Sequence, residues 1–225
     1  MYKIILSVIK VLFLITVIIT NASAQNKNVK PQTQKTMTVE EIKKTLEGTW
    51  VSIAPELRPS SLKNEDGTLK PFYLKRSFNY LAGDKFELEI INSADPYGKL
   101  PLSKLLIKGH MVWQGEHPIA KGAQKVDYTA DESYEVTPLH QGFVDILNKL
   151  AGAEFEKWEV GKTQNILSKA FLPFGLAKGQ LFKEYDLIYL YNDMMFWGAR
   201  NIDGRGFDKE ENRPTNLQIP LVRLK

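Results

Sequence analysis

The chain contains no cysteine. That absence excludes disulfides, thiolate nucleophiles, cysteine metal sites and a lipid-modified cysteine anchor. Histidine is scarce, with only His110, His117 and His140. None has the i, i+4 spacing of a zinc-binding helix. His110 falls on the polar parity of a strand, His117 precedes Pro118 in a turn, and His140 lies in the first turn of a helix, so all three are expected at the surface. No G-x-S-x-G elbow, P-loop or dinucleotide glycine pattern occurs. With no acid–base or nucleophile constellation, the expectation is a protein that is not an enzyme and carries no cofactor or metal.

Long apolar runs are also missing after residue 24. Met1–Tyr2–Lys3 is a basic start, Val11 to Ile19 is apolar, and Ala22–Ser23–Ala24 is a small-x-small site. This pattern reads as a cleaved signal peptide over 1–24. The uncharged stretch after Lys10 is shorter than the ~20 residues a spanning helix needs. Export without disulfides fits a bacterial periplasm or exterior. The formal charge of +4 falls to +2 without Lys3 and Lys10, and to −1 without Lys27, Lys30 and Lys35. Those last three lie in a polar stretch, residues 25–37, that reads as disordered linker. A near-neutral remainder offers no basic field for nucleic acid.

What remains, 38–225, has the balance of a globular domain, with 43% hydrophobic and 25% charged residues over the whole chain. Thr38 and Glu41 form a capping box for a short helix ending near Leu46. After Gly48 the period becomes two. In "VDYTADESYEVT", Val126, Tyr128, Ala130, Glu132, Tyr134 and Val136 share one face, and the alternate set is polar. Such a strand has one wet side and one side turned to a core. The same two-sidedness places Phe72, Leu74, Phe78 and Tyr80 together. It does so for Phe86, Leu88 and Ile90, for Leu105, Ile107, Met111 and Trp113, and for Leu181, Tyr185, Leu187, Tyr189 and Tyr191. Met194 to Trp197, and then Leu217, Ile219 and Leu221, complete the set. With Thr49–Ala54 these make eight strands, enough for an antiparallel barrel that is filled or holds one small ligand.

One helix interrupts the strands. Thr137 as cap, Pro138 at the first position and Gly152 as stop are expected to bound it, with Leu139, Phe143, Ile146, Leu147 and Leu150 as its apolar stripe. The "NIDGRGFDKEEN" acidic cluster lacks calcium-loop spacing and reads as a hairpin loop with an Asp203–Gly204 turn. Arg76 and Glu132 fall on inward parity, where each needs a partner or a mouth open to water. Inward tyrosines bring hydroxyls that need partners if buried, which favours a cavity.

Gly48-x-Trp50 at the start and Arg223 at the end resemble the opening and closing signatures of lipocalin-like barrels. Strand parity puts Arg223 inward, and closure of a barrel makes it a neighbour of Trp50. A fuller set covers about Leu46 to Leu224. It comprises Trp50, Glu56–Leu57–Arg58–Pro59, Arg76–Ser77–Phe78, Leu106–Ile107–Lys108–Gly109, Ala123 leading to Asp127–Tyr128, and Leu221–Val222–Arg223. It resembles the domain of the adenomatosis polyposis coli down-regulated family of extracellular Wnt inhibitors. The resemblance implies a partly open lipocalin-like β-barrel with an apolar pocket for a lipid or acyl chain. The chain departs from animal members in having one domain and no cysteine, as a bacterial relative would.

The expectation is therefore an exported module holding a lipid or fatty acyl group, free or carried on a lipidated protein. Phe78, Tyr80, Phe86, Leu88, Ile107, Met111, Trp113, Tyr128, Tyr134, Leu187 and Tyr189 would line the pocket. Trp50 and Arg223 would plug the closed end. Phe171–Leu176, "FLPFGL", is either a lid or membrane-touching lip, or a loop packed under the helix. The alternative function is a protein-interaction or envelope-structural barrel with a solid core.

Overall fold

The computed structural model describes residues 37–201 and 205–225. The expected leader, the linker up to residue 36 and the Asp203–Gly204 turn lie outside the described residues.

Helix α1 (Val39–Leu46) begins with the expected capping box, Thr38 and Glu41 bonding reciprocally. It buries Ile42 and Leu46. Met37, the last residue of the expected linker, packs on the same core. The strands follow as β1 (Gly48–Ser52), β2 (Glu56–Lys63), β3 (Leu69–Leu81), β4 (Lys85–Ser93), β5 (Pro101–Glu116) and β6 (Gln124–Pro138). Helix α2 (Gln141–Leu150) comes next, then β7 (Gln164–Asn165), β8 (Lys183–Tyr191), β9 (Met194–Trp197) and β10 (Leu221–Arg223).

All pairings are antiparallel, in the order β1-β10-β9-β8-β6-β5-β4-β3, and β1 also pairs with β3. Eight strands thus close into a ring, as the eight-strand expectation required. The two further strands extend it. β7 adds to the edge of β6, and β2 continues the line of β1 along β3. Val51 faces Ser77 while Glu56 faces Leu74, so the β1–β2 side carries two extra residues. That bulge bends the wall away from β10. Beyond it the strands no longer pair and the barrel is open.

Closure follows the residues that suggested it. Trp50 and Arg223 are register partners. The guanidinium lies 4.2 Å from the Trp50 ring centroid and donates to the carbonyls of Glu47 (2.8 Å) and Thr45 at the end of α1. An arginine there satisfies orphan helix carbonyls while it covers an aromatic face. Trp50 Nε1 donates to Leu46 O at 2.7 Å. Gly48 has φ +109°, and a Cβ there would stand 3.1 Å from Arg223 Nη1, so the chain passes because glycine has no side chain.

Three expectations are corrected. The second helix begins three residues later than expected, because Thr137 and Pro138 remain in β6 and His140 is the cap, accepting from Gly142 N–H. Its buried face is Val144 and Leu147, whereas Ile146 and Leu150 are exposed. The last strand is only Leu221–Arg223, because Pro220 cannot donate to a ladder. Ile219 consequently points outward, 67% exposed. Glu132 is also outside. Four steps along β6 span two along β5, from Lys108↔Ser133 to His110↔Thr129. This bulge turns Glu132 out to Lys85 (2.6 Å), while Tyr128 and Tyr134 both stay in.

Candidate functional site

Eight of the eleven expected lining residues share one buried cluster inside the barrel: Phe78, Tyr80, Phe86, Leu88, Ile107, Met111, Tyr128 and Tyr134. Trp113 is partly buried against it, near α1, with its indole donating to Asp84 at 2.9 Å. Leu187 and Tyr189 are corrections. On β8 the inner set is Glu184, Asp186, Ile188 and Leu190, and of these Ile188 and Leu190 belong to the core cluster. Leu187 is buried outside that cluster, and Tyr189 packs on Phe196, ring to ring at 6.0 Å. The outer face of β8 is covered too. Arg213 lies 5.3 Å over Tyr185 and donates to the carbonyls of Val126 and Asp186. A strand covered on both faces is apolar at both parities, so alternation cannot tell its sides apart.

The lower lumen is solid. Phe78 stacks on Tyr80 at 5.2 Å and meets Trp197 edge-on at 4.1 Å, and Tyr128 stands edge-on to Phe86 at 5.1 Å. The Tyr80 and Tyr128 hydroxyls bond each other at 2.8 Å. Burial pushes both phenols well above their ordinary range.

Above this aromatic layer the lumen becomes ionic. Arg76, 8% exposed, lies 4.3 Å over the Trp197 ring. It donates from Nε and Nη2 to Glu56 Oε1 and Oε2 at 2.9 and 2.5 Å. Arg58 Nη2 donates to the same carboxylate at 2.8 Å and reaches Gln218 across the open seam at 3.3 Å. Burial and the neighbouring Arg76 cation lower the Arg58 guanidinium from its ordinary value. The partner that Arg76 required is therefore Glu56, from the β1–β2 bulge.

The opposite wall carries Asp186, 0% exposed. Its Oδ1 accepts from Leu187 N–H at 2.7 Å and Gly198 N–H at 2.9 Å. A Cβ at Gly198 would stand 2.4 Å from that oxygen, so glycine permits the contact. Among the described residues, Asp186 Oδ2 is buried with no hydrogen-bond partner, as is the indole N–H of Trp197, whose polar neighbour is the Tyr80 hydroxyl. Burial, and then Glu184, push the Asp186 carboxyl well above its ordinary value. Burial likewise raises Glu184, while Arg76, Arg200 and Arg58 pull it back through charge alone.

Toward the rim, Tyr134 contacts Phe174 and Phe182 at 6.0 and 5.8 Å between ring centroids. The "FLPFGL" segment packs as a loop against the region of α2. Phe171 and Leu176 are buried and pair with each other, and Phe171 meets Phe155 and Trp158. Of its large side chains Leu172 is exposed and Phe174 partly buried. His117 is also a correction. It is 7% exposed, its Nδ1 accepts from Ile119 and Ala120 N–H, and burial lowers its pKa.

Glu56, Arg58, Glu184, Asp186 and Trp197 were not among the expected lining residues. The signal for the first two was present in Glu56–Leu57–Arg58, where charge alternates around one leucine. Among the described residues, no group of three acidic, histidine or cysteine side chains is placed to hold a metal. No helix among them is long and apolar enough to cross a membrane. The fold and its interior define an open antiparallel β-barrel with an ionic and aromatic lumen. No family model matches the chain.

Proposed function

We propose that this protein is an exported, non-catalytic binding module that takes a lipid or fatty acyl chain into the open half of its barrel. A single observation carries the reading, namely buried lumenal polar atoms with unused bonding capacity beside an apolar wall. A barrel that needed only a core would be cheaper to fold with aliphatic side chains there, because unpaired buried polar groups cost about 1–3 kcal/mol each. A ligand end reaching that level supplies the missing bonds, and its chain gains about 0.8 kcal/mol per buried methylene. The resemblance to the extracellular Wnt-inhibitor domain supports the same ligand class and makes a lipidated protein a second possible source of the chain.

A specific observation favours a second reading. The aromatic layer over Trp50 is packed solid, as a protein-interaction or envelope-structural module requires. Native mass spectrometry and organic extraction of chain purified from an exporting bacterial host separate the two. A co-purifying lipid at one per chain is expected. Bare-chain mass and an empty extract, with no uptake of added fatty acid, would leave the structural module.

A further inference from the structure

Granted the ligand-binding reading, on which this rests, we propose that the lumen recognises the neutral, hydroxyl-bearing end of an amphiphile between Asp186 and Trp197. Asp186 Oδ2 and the Trp197 indole N–H both lack a partner among the described residues. Both side chains are enclosed, at 0% and 2% exposure. They project from adjacent strands, joined by the bond from Gly198 N–H to Asp186 Oδ1. One is an unmet acceptor when ionised and the other an unmet donor. A hydroxyl group accepts from the indole and donates to the carboxyl oxygen, so one atom meets both needs.

Charge selects against the other head groups. Arg76 is already engaged by two bonds to Glu56 and by its stack on Trp197, and Arg58 shares the same Glu56. Among the described residues the buried guanidiniums, Arg76 and Arg58, are already paired with Glu56 and Arg200 is exposed, so a carboxylate head at this depth would face Asp186 and Glu184 without a free cation. An ammonium head would pair with Asp186 but has no lone pair to accept from the Trp197 indole and would stand beside Arg76. The carboxylate brings an unpaired charge into an enclosure, which is costly, and the ammonium leaves the indole unmet. The alkyl chain then lies along Ile90, Tyr134, Phe174 and Phe182, of which all but Tyr134 are only partly buried.

The test is calorimetric titration of the delipidated full chain, at a pH above the folded Asp186 value, with decan-1-ol, decanoate and decylamine. Decanol is expected to bind at least about tenfold tighter than either charged homologue. Asp186→Asn, which is nearly isosteric, should weaken decanol by about tenfold without weakening decanoate. Trp197→Phe, which removes only the donor among the polar groups, should weaken decanol in the same selective way. A charged chain binding as tightly as decanol, or an Asp186→Asn chain with unchanged decanol affinity, would overturn the head-group assignment. Equal binding of all three chains overturns it too, while leaving the ligand-binding reading standing. If no ten-carbon chain binds, both fall together.

Discussion

The barrel contains two arginines stacked on two tryptophans, and the two pairs differ in what surrounds them. At the closed end Arg223 covers Trp50 at 4.2 Å, and inside the lumen Arg76 covers Trp197 at 4.3 Å. Around Trp50 every polar group is answered by backbone. The indole donates to Leu46 O, and the guanidinium donates to carbonyls at the end of α1. Around Trp197 the guanidinium is answered by a carboxylate on a bulge, and the indole has no hydrogen-bond partner among the described residues. The first pair is a plug that completes a fold. The second leaves polar groups unpaired in the middle of an apolar enclosure. The same contact thus serves stability in one place and leaves capacity for a guest in the other.

The strongest way to break this comparison is at the plug. Trp50→Ala should cost about 3–5 kcal/mol in urea unfolding, as truncation of a buried tryptophan does. A loss under about 1 kcal/mol would mean that closure does not depend on it. Next is the lumenal ion pair. Glu56→Ala leaves Arg76 buried without its partner and should cost about 3 kcal/mol. Adding Arg76→Met to that variant should recover most of the loss, and failure to recover would show that Glu56 acts elsewhere.

A smaller effect sharpens the lumenal side. Because burial raises the Asp186 carboxyl, the folded chain keeps a proton that the unfolded chain gives up. Stability from this source is full below about pH 4, the unfolded value, and is lost as pH rises through the folded value. Asparagine has no such dependence, whereas Glu184 contributes a slope to both proteins. Asp186→Asn should therefore gain on the native chain by at least about 1 kcal/mol between pH 4 and pH 8. Parallel pH curves would contradict the burial of that carboxyl. The smallest effect belongs outside the barrel. Glu132→Gln should change stability by less than about 0.5 kcal/mol, since its ion pair with Lys85 is solvated. A larger loss would return Glu132 to the interior.

The closed end was legible in the sequence because both its elements are end-to-end signals. Gly48, Trp50 and Arg223 mark the first and last strands, and ring closure must bring those together. The lower lumen was legible because β3, β4, β5 and most of β6 have one wet face, which makes parity decisive. The rest was hidden for stated reasons. In Asp186–Leu187–Ile188–Tyr189–Leu190–Tyr191 both faces are covered, so five apolar residues in a row conceal which set is inside, and alternation with Tyr185 and Leu187 assigns Asp186 to the outer set. Glu132 was misplaced by a bulge, which shifts a face without any mark in the hydrophobic pattern. The end of the chain was shortened by Pro220, a signal that was present but outweighed by the alternation of Leu217, Ile219 and Leu221. Each miss moved polar groups, and the lumenal polar groups are what give the interior its chemistry.

The most direct measurement follows the two indoles at once. In a ¹⁵N–¹H spectrum, the Trp197 and Trp50 indole resonances are assigned by substituting each tryptophan with phenylalanine, and decan-1-ol is then added to the native chain. The Trp197 indole N–H should shift saturably as it gains an acceptor, while the Trp50 indole, already bonded to Leu46 O, stays in place. If neither resonance moves at saturating decanol, or if both move together, the lumen is not the open half of this comparison and the account fails.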